Sequence, residues 1–272
     1  MHSNSARRLL TLTALAAVLT LPLAACKTTD NDVTGSLGPA ASTPRAPTTE
    51  ADWRREQDVW GQRYHANPGD ADAAMHYAQA LRATSERAQA VAVLEQASIR
   101  NPDNKPLLGA YGRALADAGQ YQQALAVLAR AHTPDNPDWR ILNAQGAVLD
   151  QMGRHADAQR YYSSALKIVP NEPDVLSNLG LSYVLEKNLK KAEQTLRLAA
   201  AQPNANPKVV QNLALVVGLQ GRFAEAERIA AADLPADQAT ANVNYLRQML
   251  AEQKNWKKRG RQPYMPPPNP GA

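Results

Sequence analysis

A register of about 34 residues constrains this chain more than any other feature of its sequence. Laid out from Ala71, Lys105, Trp139, Pro173 and Pro207, like residues fall into columns. The eighth column reads Ala78, Gly112, Gly146, Gly180 and Ala214, and the twentieth is Ala90, Ala124, Ala158, Ala192 and Ala226. The twenty-seventh holds Ala97, Ala131, Ala165 and Ala199, then breaks at Asp233. Large apolar residues stand between, with Tyr77, Tyr111, Leu179 and Leu213 in the seventh column and Leu94, Leu128, Tyr162 and Leu196 in the twenty-fourth. A chain with this periodicity stacks copies of one small unit, each burying its apolar face against its neighbours.

The unit is a pair of helices. Small residues in the eighth and twentieth columns let two antiparallel helices approach closely, and the large ones fill the space around the contact. A glycine inside a helix costs about 1 kcal/mol relative to alanine, so Gly112, Gly146 and Gly180 require a compensating gain in packing. Turn signals fall where the helices end: DAGQY, QMGRH and LQGRF within the units, NPD and VPNEP between them. The pattern resembles the tetratricopeptide repeat (TPR). The predicted fold is all-α, a superhelical solenoid of five helix-turn-helix repeats at 71–104, 105–138, 139–172, 173–206 and 207–235.

The ends of the stack are atypical, as terminal repeats are. ADWRREQDVWGQRYHA and the NPGD after it read as an N-terminal capping helix over 51–70, with Trp53 and Trp60 facing the first repeat. ATANVNYLRQMLAEQ carries Val243, Leu246, Met249 and Leu250 at helical spacing, which predicts a C-terminal capping helix over 236–253. Residues 254–272 are basic and proline-rich and are expected to be a disordered tail. They hold Lys254, Lys257, Lys258, Arg259 and Arg261 and no acid, so the formal charge of +5 belongs to the tail and the body sums to zero. Nothing in that balance points to nucleic acid.

The N-terminus predicts an anchor. Arg7 and Arg8 precede LLTLTALAAVLTLPLA, an apolar run of roughly 15 residues that is short for a membrane span. Leu23, Ala24 and Ala25 then place small residues before Cys26, the only cysteine of the chain. This resembles the bacterial lipobox, with 1–25 as signal peptide and Cys26 as the lipid attachment site. A covalent lipid on Cys26 is the only bound group expected, and Lys27 after it suits export to the outer membrane rather than retention at the inner one. Without a second cysteine there is no internal disulfide to expect, and stability must come from packing. Residues 26–50 are rich in Thr, Ala, Pro, Ser and Gly and read as a flexible tether with an end-to-end distance of roughly 25 to 30 Å.

No catalytic or metal site is predicted. The five histidines are scattered, and HExxH, paired zinc cysteines, a P-loop, a dinucleotide-binding glycine fingerprint and GxSxG are all missing. A small-molecule substrate is likewise not expected, and binding of a protein partner is the function such a solenoid suggests. In that architecture the first helices of successive repeats line a groove. Asn143, Asn178 and Asn212 occupy its fifth or sixth columns, where amides suit the backbone of an extended peptide. The ninth and thirteenth columns of the last two repeats read Leu181, Leu185, Leu215 and Leu219, an apolar patch of the kind that marks a partner site, unless the capping helix covers it.

Three stretches carry a closer resemblance: VLSNLGLSYVLEKNLKKAEQTLRLAA (175–200), VVQNLALVVGLQGRFAEAE (209–227) and DLPADQATANVNYLRQML (233–250). In that order they are similar to the TPR lipoproteins of the Tad (Flp) pilus assembly system, the TadD family, over roughly residues 105 to 250. The resemblance implies a lipid-anchored protein on the periplasmic face of the outer membrane. There it would act as a pilotin-like adaptor whose partner is the pilus secretin or another Tad assembly protein. The alternative is a periplasmic TPR scaffold lipoprotein that recruits cell-wall or envelope-assembly proteins.

Overall fold

The computed structural model describes residues 47–259. The lipobox residues Leu23, Ala24 and Ala25, the anchor Cys26, most of the tether and the end of the tail lie outside the described residues. Twelve helices make up the described part: α1 (Glu50–Ala66), α2 (Ala71–Ala83), α3 (Arg87–Arg100), α4 (Lys105–Asp117), α5 (Tyr121–Arg130), α6 (Trp139–Gln151), α7 (His155–Ile168), α8 (Pro173–Leu185), α9 (Leu189–Ala200), α10 (Pro207–Leu219), α11 (Phe223–Ala230) and α12 (Ala236–Arg259). The helices α2 to α11 pair in chain order, and each pair packs on the next.

The first helices start where the 34-residue register does, because local chemistry begins them there. Asp70, Asn104, Asp138 and Asn206 each accept hydrogen bonds from first-turn amides of α2, α4, α6 and α10, and Pro173 opens α8 in the first-turn position where proline loses nothing. Within each pair the chain reverses through one residue in the left-handed region: Ser85, Gly119, Gly153, Lys187 and Gly221, with φ of 68°, 77°, 75°, 64° and 84°. Only glycine takes that conformation without steric cost, so the glycines of DAGQY, QMGRH and LQGRF are turn residues. The equivalent Ser85 and Lys187 show that the turn is a property of the repeat.

The columns are the core. All five alanines of the twentieth column are fully buried, as are Leu94, Leu128, Tyr162 and Leu196. A Cβ on Gly112 would lie 2.5 Å from Leu128 Cγ, and one on Gly180 would lie 2.6 Å from Leu196 Cγ. The missing methyl groups are therefore the space those leucines fill. Burying a leucine contributes about 1.5–3 kcal/mol, which exceeds the roughly 1 kcal/mol cost of a helical glycine.

The backbones of successive first helices α2, α4, α6, α8 and α10 approach one another closely, whereas those of successive second helices stand farther apart. The stack consequently curves with its first helices inside. At the N-terminus α1 packs on α2, where Trp60 stacks on His76 at 4.2 Å between ring centroids and 14° between planes, and Gly61 lies against the Tyr77 ring. At the C-terminus α12 packs on α10 and α11 through Ala239, Val243 and Leu246.

The C-terminal helix is longer than the sequence suggests. It continues through Arg259, so residues 254–259 are helical rather than part of a disordered tail. Lysine and arginine are good helix formers, the first proline beyond is Pro263, and basic residues at a helix C-terminus complement its dipole. No described helix is long and apolar enough to cross a membrane.

Candidate protein-binding groove

The inner surface of the curve is built by α2, α4, α6, α8 and α10, and all seven groove residues named from the sequence lie on these helices. Asn143 stands on α6, Asn178, Leu181 and Leu185 on α8, and Asn212, Leu215 and Leu219 on α10. Each is half-buried.

The asparagines do more than face solvent. Asn178 Nδ2 donates to Asn143 Oδ1 at 3.0 Å, and Asn212 Nδ2 donates to Ser177 Oγ at 2.9 Å. The structure brings Asn143 and Asn178 together, and it pairs Asn212 with a buried serine instead of with Asn178. These bonds tie neighbouring first helices to each other, so part of the amide hydrogen-bonding capacity is spent inside the stack.

The leucines are differently placed. Leu181, Leu185, Leu215 and Leu219 stand on two adjacent first helices and belong to none of the buried core clusters. The capping helix seats elsewhere on α10. A Cβ on Gly218 would meet Leu246 Cδ2 at 2.5 Å, Val243 joins Leu213 and Val217, and Ala239 joins Ala214. Its contacts thus fall on the seventh, eighth, eleventh and twelfth columns of the fifth repeat, not the ninth or thirteenth.

One cluster between repeats contains the residue types of a nucleophilic site. Asp150 accepts from Tyr162 Oη at 2.9 Å and from Ser182 Oγ at 2.8 Å, and His155 Nδ1 lies 2.8 Å from the same carboxylate. Ser182 is fully buried and donates its hydroxyl hydrogen bond to Asp150, so its oxygen is closed to a substrate. Burial, followed by the neighbouring Asp150 charge, pushes the Tyr162 hydroxyl well above its ordinary pKa. The cluster joins the third repeat to the fourth, with its hydrogen bonds satisfied internally.

Sequence reasoning missed a second feature of the inner surface. Between α2 and α4 lies a cleft of about 380 Å³ lined by His76, Gln79, Arg82, Ala110 and Arg113. The signal was present, since these are sixth, ninth and twelfth columns of the first two repeats.

The tetratricopeptide repeat family profile matches residues 81–146 and 151–215. Over those residues the solenoid is built from tetratricopeptide repeats. TPR domains are, as a class, scaffolds for binding other proteins, and the extended inner surface of a solenoid is where repeat proteins do so. Among solved structures, the chain is similar to PilW, described as a widely conserved type IV pilus biogenesis factor. The TM-score is 0.61 at 17% identity, covering 71% of this chain and 91% of PilW. It is similar to Pseudomonas aeruginosa PilF with a TM-score of 0.51 at 20% identity, covering 67% and 81%. The Cut9–Hcn1 hetero-tetramer of the APC/C gives 0.56 at 15%, covering 73% of this chain and 42% of that one. At these identities the likeness is one of TPR fold. No curated protein sequence matches significantly.

Proposed function

We propose that this chain is an outer-membrane-anchored TPR adaptor that assists assembly of the Tad (Flp) pilus secretion apparatus. In this reading the groove holds a segment of the secretin or of an associated component. The observation that carries the reading is the leucine set Leu181, Leu185, Leu215 and Leu219. These residues are half-buried on adjacent inner helices, and they lie outside both the core clusters and the seat of the capping helix. An apolar strip of this kind on a TPR inner surface suits an extended or helical client segment. The resemblance of residues 105–250 to the Tad lipoproteins supplies the system, and PilW, a solved structure of similar fold, is described as a type IV pilus biogenesis factor.

The lipid on Cys26 confines the solenoid to the membrane face, and the tether sets its reach. Tethering raises the effective concentration of a client that passes through or assembles at the same membrane. Groove capture and anchoring then act together, neither needing high intrinsic affinity.

Crosslinking in membranes, pull-down and quantitative mass spectrometry test the proposal with three chains: wild type, Cys26→Ser, and Leu181→Asp with Leu215→Asp. Enrichment of a secretin or another Tad component by the wild type, lost in the leucine variant and scattered in the Ser variant, supports it. Enrichment of cell-wall enzymes instead transfers the adaptor role to envelope assembly.

A further inference from the structure

Among the described residues, the Arg113 guanidinium has no ion-pair partner. It projects into the α2–α4 cleft from α4, with Ala110 beside it on the same face and Gly109 one turn earlier. Ala110 lines the cleft with it, whereas the space in front of Gly109 is taken by Ile141. Four charged groups surround Arg113, namely Arg82, Asp138, Asp117 and Arg140. Both carboxylates are committed elsewhere. Asp117 Oδ2 accepts from Arg82 Nε at 2.5 Å, and Asp138 caps α6 by accepting from the Arg140 amide at 2.7 Å. The Arg140 guanidinium lies over the Trp139 ring at 4.5 Å. Among the described residues, Arg113 forms no ion pair and no side-chain hydrogen bond.

Of the three guanidinium groups only Arg82 pairs with a carboxylate; Arg140 is exposed over Trp139, and Arg113 is half-buried in the cleft without an acceptor. Burial, and then the neighbouring Arg82 charge, lower the pKa of Arg113. A half-buried cation without a protein acceptor is partly desolvated, and an anion that enters the cleft supplies the missing acceptor. The donors already present are Arg113, Arg82 and Gln79, with His76 beside them. Guanidinium groups match a carboxylate in plane and in number of donors.

We infer that the α2–α4 cleft binds an acidic side chain, Asp or Glu, of the same client segment whose apolar residues lie on the leucine strip. The inference rests on the groove reading above and deepens it, because it assigns the client a composition and a spacing. From the cleft to the strip is three first-helix steps. At 8–10 Å between packed helices that is about 24–30 Å, which an extended chain crosses in roughly eight residues. The client segment then carries an acid and a pair of apolar residues about eight positions apart.

Fluorescence anisotropy tests this with a short labelled peptide, acetylated and C-terminally amidated, bearing one Glu and, about eight residues away, two Leu; both chain orders are synthesised. The control peptide carries Gln in place of Glu. Wild-type protein is expected to bind the Glu peptide in one chain order about tenfold more tightly than the Gln peptide, and Arg113→Gln is expected to remove that difference. Equal affinity of wild type for the two peptides, with binding still abolished by Leu181→Asp, overturns the acidic cleft and leaves the groove reading standing. Absence of binding by either peptide, or binding indifferent to Leu181→Asp, overturns both. The wild-type comparison decides the matter even if Arg113→Gln loses its helical circular dichroism. A free C-terminus that makes the Gln peptide bind as tightly as the amidated Glu peptide overturns the assignment to a side chain.

Discussion

Gly146 lies directly beneath the ring of Tyr162: a Cβ built on the glycine would sit 2.5 Å from Tyr162 Cε1 and 2.8 Å from Cδ1. The third repeat uses its glycine to admit an aromatic ring where the second and fourth admit a leucine. The ring is also held at its far end, where its hydroxyl donates to Asp150. It cannot retreat without losing a buried hydrogen bond.

Gly146→Ala is therefore expected to destabilise the domain despite alanine's higher helix propensity. Overpacking of a tight core costs about 1–3 kcal/mol, and the hydrogen bond to Asp150 adds about 1 kcal/mol if the ring is displaced. Alanine returns only about 1 kcal/mol. A thermal melt followed by circular dichroism should show a Tm lower by several degrees, and an unchanged or raised Tm would mean that the ring moves freely.

Lys187→Gly is expected to stabilise. Lys187 stands at φ 64° in the turn between α8 and α9, a position that glycine occupies in three of the five repeats. The left-handed conformation costs a residue with a Cβ about 1–2 kcal/mol, against a smaller entropic loss for glycine in the unfolded chain. Urea titration should give a midpoint shifted upward with the slope unchanged.

Asn178→Ala is expected to reduce stability even where no client is present. It removes the 3.0 Å bond to Asn143 and leaves an acceptor half-buried on α6, at a cost of about 1 kcal/mol. A double-mutant cycle with Asn143→Ala measures the coupling. Coupling near zero would return both amides to the role of ligand-binding groups alone.

Glu193 makes stability depend on acid. Its carboxylate accepts hydrogen bonds from Arg222, Gln220 and Arg197, the Arg222 bond being the largest influence, and its pKa falls from 4.5 to about 2. A carboxyl whose folded pKa is depressed contributes stability above its unfolded pKa and loses it as the pH falls toward the folded one. The Tm gap between wild type and Glu193→Gln should be full above about pH 4.5 and should close as the pH falls from there to about 2. A gap independent of pH would mean that the α9–α11 contact does not depend on this charge.

The repeat architecture was legible because close helix contact leaves a mark that no neighbouring residue can hide: Gly112 makes room for Leu128, and Gly180 for Leu196. Three of the five reversing turns were legible through glycine. The turns at Ser85 and Lys187 were not, because the repeat imposes there a conformation that those residues do not favour by themselves. The end of α12 is not legible from composition, because residues 254–259 share their basic character with the proline-rich stretch that follows, whereas the backbone responds to helix propensity up to Arg259. For the groove, columns indicate which helix a residue occupies but not what its side chain meets. The Asn143–Asn178 bond and the commitment of Asp117 and Asp138 to other partners, which leaves Arg113 alone, arise between repeats and have no local signature.

The central claim is that the inner face of the solenoid captures a protein client. Site-specific photo-crosslinking addresses it most directly, with a benzophenone amino acid placed in turn at Leu185 and Leu219 in the groove and at Ile99 and Leu198, exposed on second helices. The account predicts a discrete crosslinked partner from the groove positions, identified by mass spectrometry as a secretin or another Tad component, and none from Ile99 or Leu198. The same partner captured only from Ile99 and Leu198 would contradict it and move the binding surface to the outside of the stack.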